Sequence, residues 1–215
     1  YIKKSADQGS IKGIHNYGLV LYKGEGVPKN KPLGLRYIRD AADANEPAAL
    51  FNFGVYTEDK ELGHKYIERS AQFGFNEGIL QTALDLMVGC GTNIDIPKAA
   101  EILSYYYDKT KDTKGLVNLI KCYETLEKNE LALEYIKILV DIEDNRFSKE
   151  IASYQFKYGI QLFYGKGVPM NKEEGIKYYN MAIDKGNIIA MFNFANILYK
   201  GIGVPVNKDE GIKLY

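Results

Sequence analysis

One block of about 22 residues recurs along the chain, and its spacing constrains the fold more than any other feature. Tyr158–Tyr179 reads YGIQLFYGKGVPMNKEEGIKYY, Tyr17–Tyr37 reads YGLVLYKGEGVPKNKPLGLRY, and Phe194–Tyr215 reads FANILYKGIGVPVNKDEGIKLY. Gly165 and Gly201 lie 36 residues apart, and Tyr17 and Phe53 are separated by the same step. A fixed period of this size, built from two apolar helical stretches around a loop, specifies a helical solenoid. Each unit buries its apolar face only against its neighbours, so length sets the number of units and not the number of domains. The reading is all-α, with about thirteen helices in pairs and no strands. It forms one solenoid over 1–215, with units at roughly 1–10, 11–46, 47–75, 76–112, 113–146, 147–187 and 188–215. Both ends are expected to fall inside a repeat.

Each element of the unit has a local cause. The first helix carries a small residue, three variable ones, then an aromatic and another small residue: Gly13…Tyr17-Gly18, Ala49…Phe53-Gly54, Ala190…Phe194-Ala195. Glycine inside a helix costs roughly 1 kcal/mol against alanine, so its return at one register points to close packing. The loop glycines (24/26, 165/167, 201/203) suit backbone angles that other residues reach with strain. The following Val-Pro holds the chain extended. Asn171 and Asn207, each with Glu three residues on, then read as caps opening the second helix. Second helices close with small pairs, Ser5-Ala6, Ala41-Ala42 and Ser70-Ala71, and then Gly9, Asn45 or Gly74 at a left-handed cap.

Departures mark where packing must change. The second unit replaces the glycine loop with Thr57-Glu-Asp-Lys60, and the third keeps a variant, Gly89-Cys-Gly-Thr-Asn93. Its second helix puts Tyr106 and Tyr107 where the small pair belongs. The fourth unit is compact, and Asp144–Ser148 reads as a short polar connector. Tyr22, Phe163 and Tyr199, each two residues before a loop glycine, read as core.

Composition narrows the function. Lys plus Arg and Asp plus Glu number 28 each, which argues against a nucleic-acid or anionic-membrane binder. Two cysteines, Cys90 and Cys122, fit neither a disulfide framework nor a metal spacing, and suggest a reducing, intracellular (cytoplasmic) setting. No apolar run is long enough to span a membrane. The GKGVPMNK loop lacks Walker spacing and follows no strand, so nucleotide binding is not expected. His15 and His64 sit in different helices without a nucleophile beside them. Glu173-Glu174 is explained by the helix N-terminus, and Cys122 by packing. The reading is therefore non-catalytic, without cofactor or metal.

The Gly-x-Gly-Val-Pro loops at 24–28, 165–169 and 201–205, the small pairs, and the aromatic-small pairs at 17–18, 53–54, 158–159 and 194–195 resemble the Sel1-like repeat family, relatives of the tetratricopeptide repeats. The resemblance covers nearly the whole chain and is weakest at 89–145. It implies a right-handed superhelix of antiparallel helix pairs that serves as a protein-interaction scaffold or adaptor. In tetratricopeptide repeats the position before the aromatic of the first helix faces the concave groove. Here it holds Asn16, Asn52, Gln81, Asn118, Lys157 and Asn193. An amide there offers both donor and acceptor to a bound peptide backbone, or bonds a neighbouring helix and fixes unit spacing. Lys12, His15 and Lys121, with Lys157, are expected on the same surface and suit an acidic or C-terminal carboxylate ligand. The expected partner is a protein or peptide. The alternatives are a structural subunit of a large assembly, held through loops and end helices, and the regulatory arm of an enzyme whose catalytic domain lies outside this segment.

Overall fold

The computed structural model describes residues 1–215. It contains thirteen α-helices, one 3-10 turn and no strand. Tyr1–Leu126 and Glu127–Tyr215 form two compact units. The boundary falls inside the segment 113–146, so that the two helices expected to pair there belong to different units.

The first unit holds α1 (Ile2–Asp7), α2 (Ile11–Lys23), α3 (Lys31–Asp43), α4 (Pro47–Tyr56), α5 (Lys60–Gln72), α6 (Asn76–Val88), α7 (Ile96–Thr110) and α8 (Thr113–Thr125). Side-chain caps set most of its helix starts. Ser10, Asn30, Glu46, Asp59, Asp95 and Asp112 each accept a hydrogen bond from a first-turn backbone N–H, satisfying donors that the helix itself leaves open. Gly24 ends α2 at φ 81°, with its N–H on the Val20 carbonyl, and Asn45 takes the left-handed role after α3 at φ 64°.

Two kinds of seam alternate along this unit. Within a pair, glycine meets glycine: a Cβ on Gly18 would lie 2.9 Å from the Gly34 carbonyl oxygen, and one on Gly34 would lie 2.5 Å from the Tyr22 nitrogen. Gly54 and Gly63 repeat the contact: a Cβ on either would lie 2.6 Å from the other's carbonyl oxygen. These contacts run in opposite chain directions, so the two helices of a pair are antiparallel. Between pairs, the small residues do the same: Gly13 packs on Ser5, and Gly78 on Ser70 and Ala71. Ala41, Ala42 and Ala49 are fully buried in a cluster with Ile38, Leu50 and Phe53. At α7 the expected small pair is indeed replaced, and Gly115 of α8 makes the room. A Cβ there would lie 2.6 Å from Cδ1 of the buried Tyr106 ring.

The second unit holds α9 (Asn129–Leu139), the 3-10 turn Asn145–Phe147, α10 (Ser148–Tyr164), α11 (Lys172–Asp184), α12 (Ile188–Lys200) and α13 (Lys208–Leu214). The connector Asp144–Ser148 is this turn, capped by the Asp144 side chain on the Arg146 N–H. Asn171 and Asn207 cap α11 and α13 from the side chain as the sequence suggests, and the Asn171 amide also donates to Glu174 at 3.0 Å. Gly159 faces Gly175, and Gly211 faces Ala195, in the same antiparallel sense. Tyr179 stacks on Phe194 at 5.6 Å between ring centres and belongs to a cluster with Phe163, Ala182, Ala190 and Ile197.

One expectation needs correction. Phe163 is core, and Tyr22 is half-buried, stacked on Tyr56 at 4.3 Å. Tyr199 is exposed, with the Lys208 ammonium 5.5 Å from the centre of its ring.

Gly18→Ala is expected to destabilise the chain by roughly 1–3 kcal/mol through overpacking against backbone. Gly26→Ala, with open space around it, carries only the left-handed strain of about 1 kcal/mol. Urea unfolding of both variants measures the difference; equal losses would show that the close helix approach is not limiting.

Candidate binding surface

The expected site residues take three different environments. Lys12 and Asn16 are exposed on α2. Asn118 and Lys121 lie near each other on α8, where the Asn118 amide donates to the Lys114 carbonyl one turn back at 2.8 Å. This leaves its oxygen outward. In the second unit, Asn193 makes the same bond to Ile189 at 2.8 Å, and Lys157 is exposed on α10.

Asn52 and His15 come together directly. The Asn52 amide donates to His15 Nε2 at 3.0 Å, tying α4 to α2. The His15 proton is therefore on Nδ1, 3.6 Å from the Glu46 carboxylate that also caps α4. His15 is buried. Burial pushes the ring below the ordinary imidazole range, and Glu46 offsets part of the shift.

Gln81 leads to an arrangement that the sequence reading missed. Its Nε2 donates to Asp85 Oδ1 at 2.8 Å, and Asp85 Oδ2 accepts from His64 Nδ1 at 3.1 Å. Asp85 is 3% exposed and His64 8%, so a buried carboxylate fixes the ring of a buried histidine on the neighbouring helix. The cue lay in register. Asp85 stands six residues after Ile79 and four before the glycine of its loop, where α2 has Val20; an acid at an apolar position needs a partner.

Helices α5 and α7 flank α6, and two adjoining depressions run between them. Toward their C-terminal ends lies a recess of about 370 Å³, with Ala71, Ile79, Thr82 and Ile102 as floor and wall and Glu68, Gln72, Glu101 and Tyr105 at its edge. Tyr105 is 58% exposed, and Glu101 has no bonding partner. Toward the N-terminal ends lies a polar cleft of about 780 Å³, bordered by α5, the 89–93 loop and Lys98. Gly91 holds this loop against α5, since a Cβ there would overlap the Lys60 carbonyl. Glu68 borders both depressions.

Nothing in this geometry assembles a nucleophile or a metal set. Cys122 is fully buried, and desolvation pushes its thiol up to about 11. No three His, Cys, Asp or Glu side chains converge as ligands. No helix is long and apolar enough to cross a membrane.

The fold and its seams define a helical-repeat protein. Residues 11–46, 152–187 and 188–215 each match the model of the Sel1 repeat, together a little under half of the chain. A protective antigen present in uropathogenic Escherichia coli strains, displaying an SLR fold, superposes with a TM-score of 0.77 at 20% identity. That match covers 100% of this chain and 46% of the antigen, so the chain spans about half its length. A Sel1 repeat protein from Oxalobacter formigenes gives a TM-score of 0.62 at 21% identity, over 95% of this chain and 85% of that one. The likeness is one of fold: an all-helical Sel1-like solenoid. No curated protein matches the sequence. Sel1 repeat proteins are generally protein-interaction scaffolds and typically non-catalytic.

His15 gives the fold a pH dependence with a definite sign. A base held below its unfolded value of 6.5 stabilises the folded chain fully above that value. The contribution is lost as pH falls through the lower folded value. Thermal unfolding from pH 7.5 to 5.5 is expected to show a steeper fall for the native chain than for His15→Gln, whose amide can still accept from Asn52. Parallel profiles would remove His15 as the source.

Proposed function

We propose that this chain is a non-catalytic interaction scaffold and that the α5–α6–α7 groove of its first unit is where a partner peptide docks. The observation that carries this reading is the recess: an apolar floor of Ala71, Ile79 and Ile102, with the exposed Tyr105 ring beside it. Apolar recesses edged by an aromatic side chain are where interface energy concentrates. Docking on helices already fixed by the glycine seams adds little ordering cost on the scaffold side. The unpaired Glu101 at the edge suits a basic residue next to the apolar side chain that fills the recess.

A second reading places the partner on the first-helix face, at Lys12, Asn16, Asn118 and Lys121. It is favoured by one observation: Lys12, Asn16 and Lys121 are all exposed, with the half-buried Asn118 one turn from Lys121.

Selection from a random peptide library distinguishes the two. Enriched peptides are expected to pair an apolar residue with a Lys or Arg. They should lose about tenfold in affinity on Tyr105→Ala, weaken on Glu101→Lys, and bind Asn16→Ala normally. Both Tyr105 and Glu101 are surface positions, so the fold is retained. Peptides sensitive to Lys12→Ala and Asn16→Ala but not to Tyr105→Ala would move the site to the first-helix face.

A further inference from the structure

The polar cleft beside the recess is lined along one side by a stripe of α5. Glu61, His64 and Glu68 stand at i, i+3 and i+7, so they share a face of the helix, and all three border the cleft. Lys65 bonds Glu61 Oε1 at 2.7 Å and Lys98 bonds Glu68 Oε1 at 3.4 Å, which leaves the second oxygen of each carboxylate outside these bonds. His64 is more than nine-tenths buried and is anchored through Nδ1 on Asp85 Oδ2 at 3.1 Å. Its Nε2 has no protein partner and is not sealed inside the core, where the buried side-chain atoms without partners are Gln155 Oε1 and Gln161 Oε1. It therefore opens on the cleft. Because Nδ1 donates to the Asp85 carboxylate, the neutral ring presents Nε2 as an acceptor. Glu61 Oε2, His64 Nε2 and Glu68 Oε2 are thus a row of acceptors in want of donors.

Charge agrees with this row. Asp59 and Asp95, whose side chains cap α5 and α7 at 3.0 Å, stand at the same end of the groove. In and around the cleft, five carboxylates (Asp59, Glu61, Glu68, Asp85 and Asp95) meet three ammonium groups (Lys60, Lys65 and Lys98), an excess of two negative charges. The N-termini of α5 and α7 return about half a positive charge each, so the sum stays negative by about one unit. A cation that brings several N–H donors fits both the charge and the acceptors. A metal ion does not, since no three His, Cys, Asp or Glu side chains converge as ligands. Among organic cations, the guanidinium presents its donors in a planar fork and is weakly hydrated, whereas an ammonium holds strongly to its water. One edge of the fork can meet His64 Nε2 while another meets a flanking carboxylate.

We propose that this cleft binds an arginine side chain of a partner protein, its guanidinium donating to His64 Nε2 and to Glu61 or Glu68. The inference stands on the cleft alone and does not need the recess to be filled. Where one peptide fills both, Glu68 lies between the arginine, toward the start of α5, and the apolar side chain, toward its end. The Lys60 ammonium, also at the cleft, opposes the incoming charge, so its removal has a diagnostic sign.

The test is an NMR titration of the whole 215-residue chain in slightly alkaline buffer with three capped probes: N-acetyl-arginine methylamide, its lysine counterpart, and its citrulline counterpart, which keeps the shape and loses the charge. The arginine probe is expected to shift the amides of Lys60–Lys65 and Gly89–Asn93, the lysine probe to bind more weakly, and the citrulline probe to leave them in place. Lys60→Ala should strengthen arginine binding about threefold and Glu61→Gln should weaken it about threefold; both positions are exposed, so the fold is retained. Two-bond proton–nitrogen spectra read the His64 ring directly. Its Nε2 should be unprotonated in the free chain and should shift with the arginine probe but not with citrulline. A protonated Nε2 in the free chain, citrulline or lysine binding as tightly as arginine, weaker arginine binding to Lys60→Ala, or acetate shifting the same amides more readily than arginine would each overturn the proposal. N-acetyl-leucinamide, titrated alongside, reports on the recess through the amides around Ile79 and Tyr105, so failure at the cleft and failure at the recess are read separately.

Discussion

The close approach of paired helices at glycine underlies the rest of this structure. At Gly18 and Gly34 and at Gly54 and Gly63, backbone meets backbone at distances that a Cβ would not tolerate, and Gly159 and Gly175 meet only slightly less closely. Such contacts exchange side-chain volume for main-chain packing and leave the two helices one way to dock. The residues flanking the glycines then meet their partners without adjustment. Tyr17 packs edge-on against Tyr37, and Tyr158 against Tyr178, a geometry that aromatic rings favour. The entropic disadvantage of glycine within a helix is offset by burial on both sides of it.

The same constraint explains why the repeat tolerates variation in some places and not in others. The loop after the first helix changes length and sequence freely: Gly24–Pro28 in one copy, Thr57–Asp59 in the next, Gly89–Asn93 in the third. Each solution only has to bring the second helix back in register. The seam between pairs is less free. Where α7 carries Tyr106 in place of a small residue, α8 answers with Gly115. The stretch 47–151, which contains both altered loops and this exchanged seam, is also the stretch outside the Sel1 repeat matches.

How much of this could be read from the chain follows from which interactions are local. Caps and loop conformations were legible because Asn171, Asn207 and the loop glycines act within a few residues of themselves. The glycine on the first helix was legible as a packing residue, but its partner on the second helix was not. Gly34, Gly63, Gly175 and Gly211 return in register, with Glu-Gly-Ile-Lys at 174–177 and 210–213 and Leu-Gly at 33–34 and 62–63, but the backbone each one meets lies on another helix. The binding surface was the least legible. The row Asn16, Asn52, Gln81 and Asn118 shares a register but not an environment: Asn52 and Gln81 are tied to His15 and Asp85, and those ties cross between helices. His64 and Asp85 are 21 residues apart, and no local rule joins them.

The groove between α5 and α7 draws its character from these exchanged positions. Ala71, one member of a small pair, helps keep its floor low, while Tyr105 beside the exchanged Tyr106-Tyr107 raises its edge. At the other end, the shortened turn before α5 and the Gly91 contact bring a loop against Lys60 and close the cleft over His64. Both depressions therefore lie where the repeat departs from its own pattern, on elements whose positions the glycine seams still fix. A repeat array gains a distinct site in this way. The repeated geometry of its seams supplies rigidity, and a few substitutions between them supply an apolar hollow on one side of Glu68 and a polar cleft on the other.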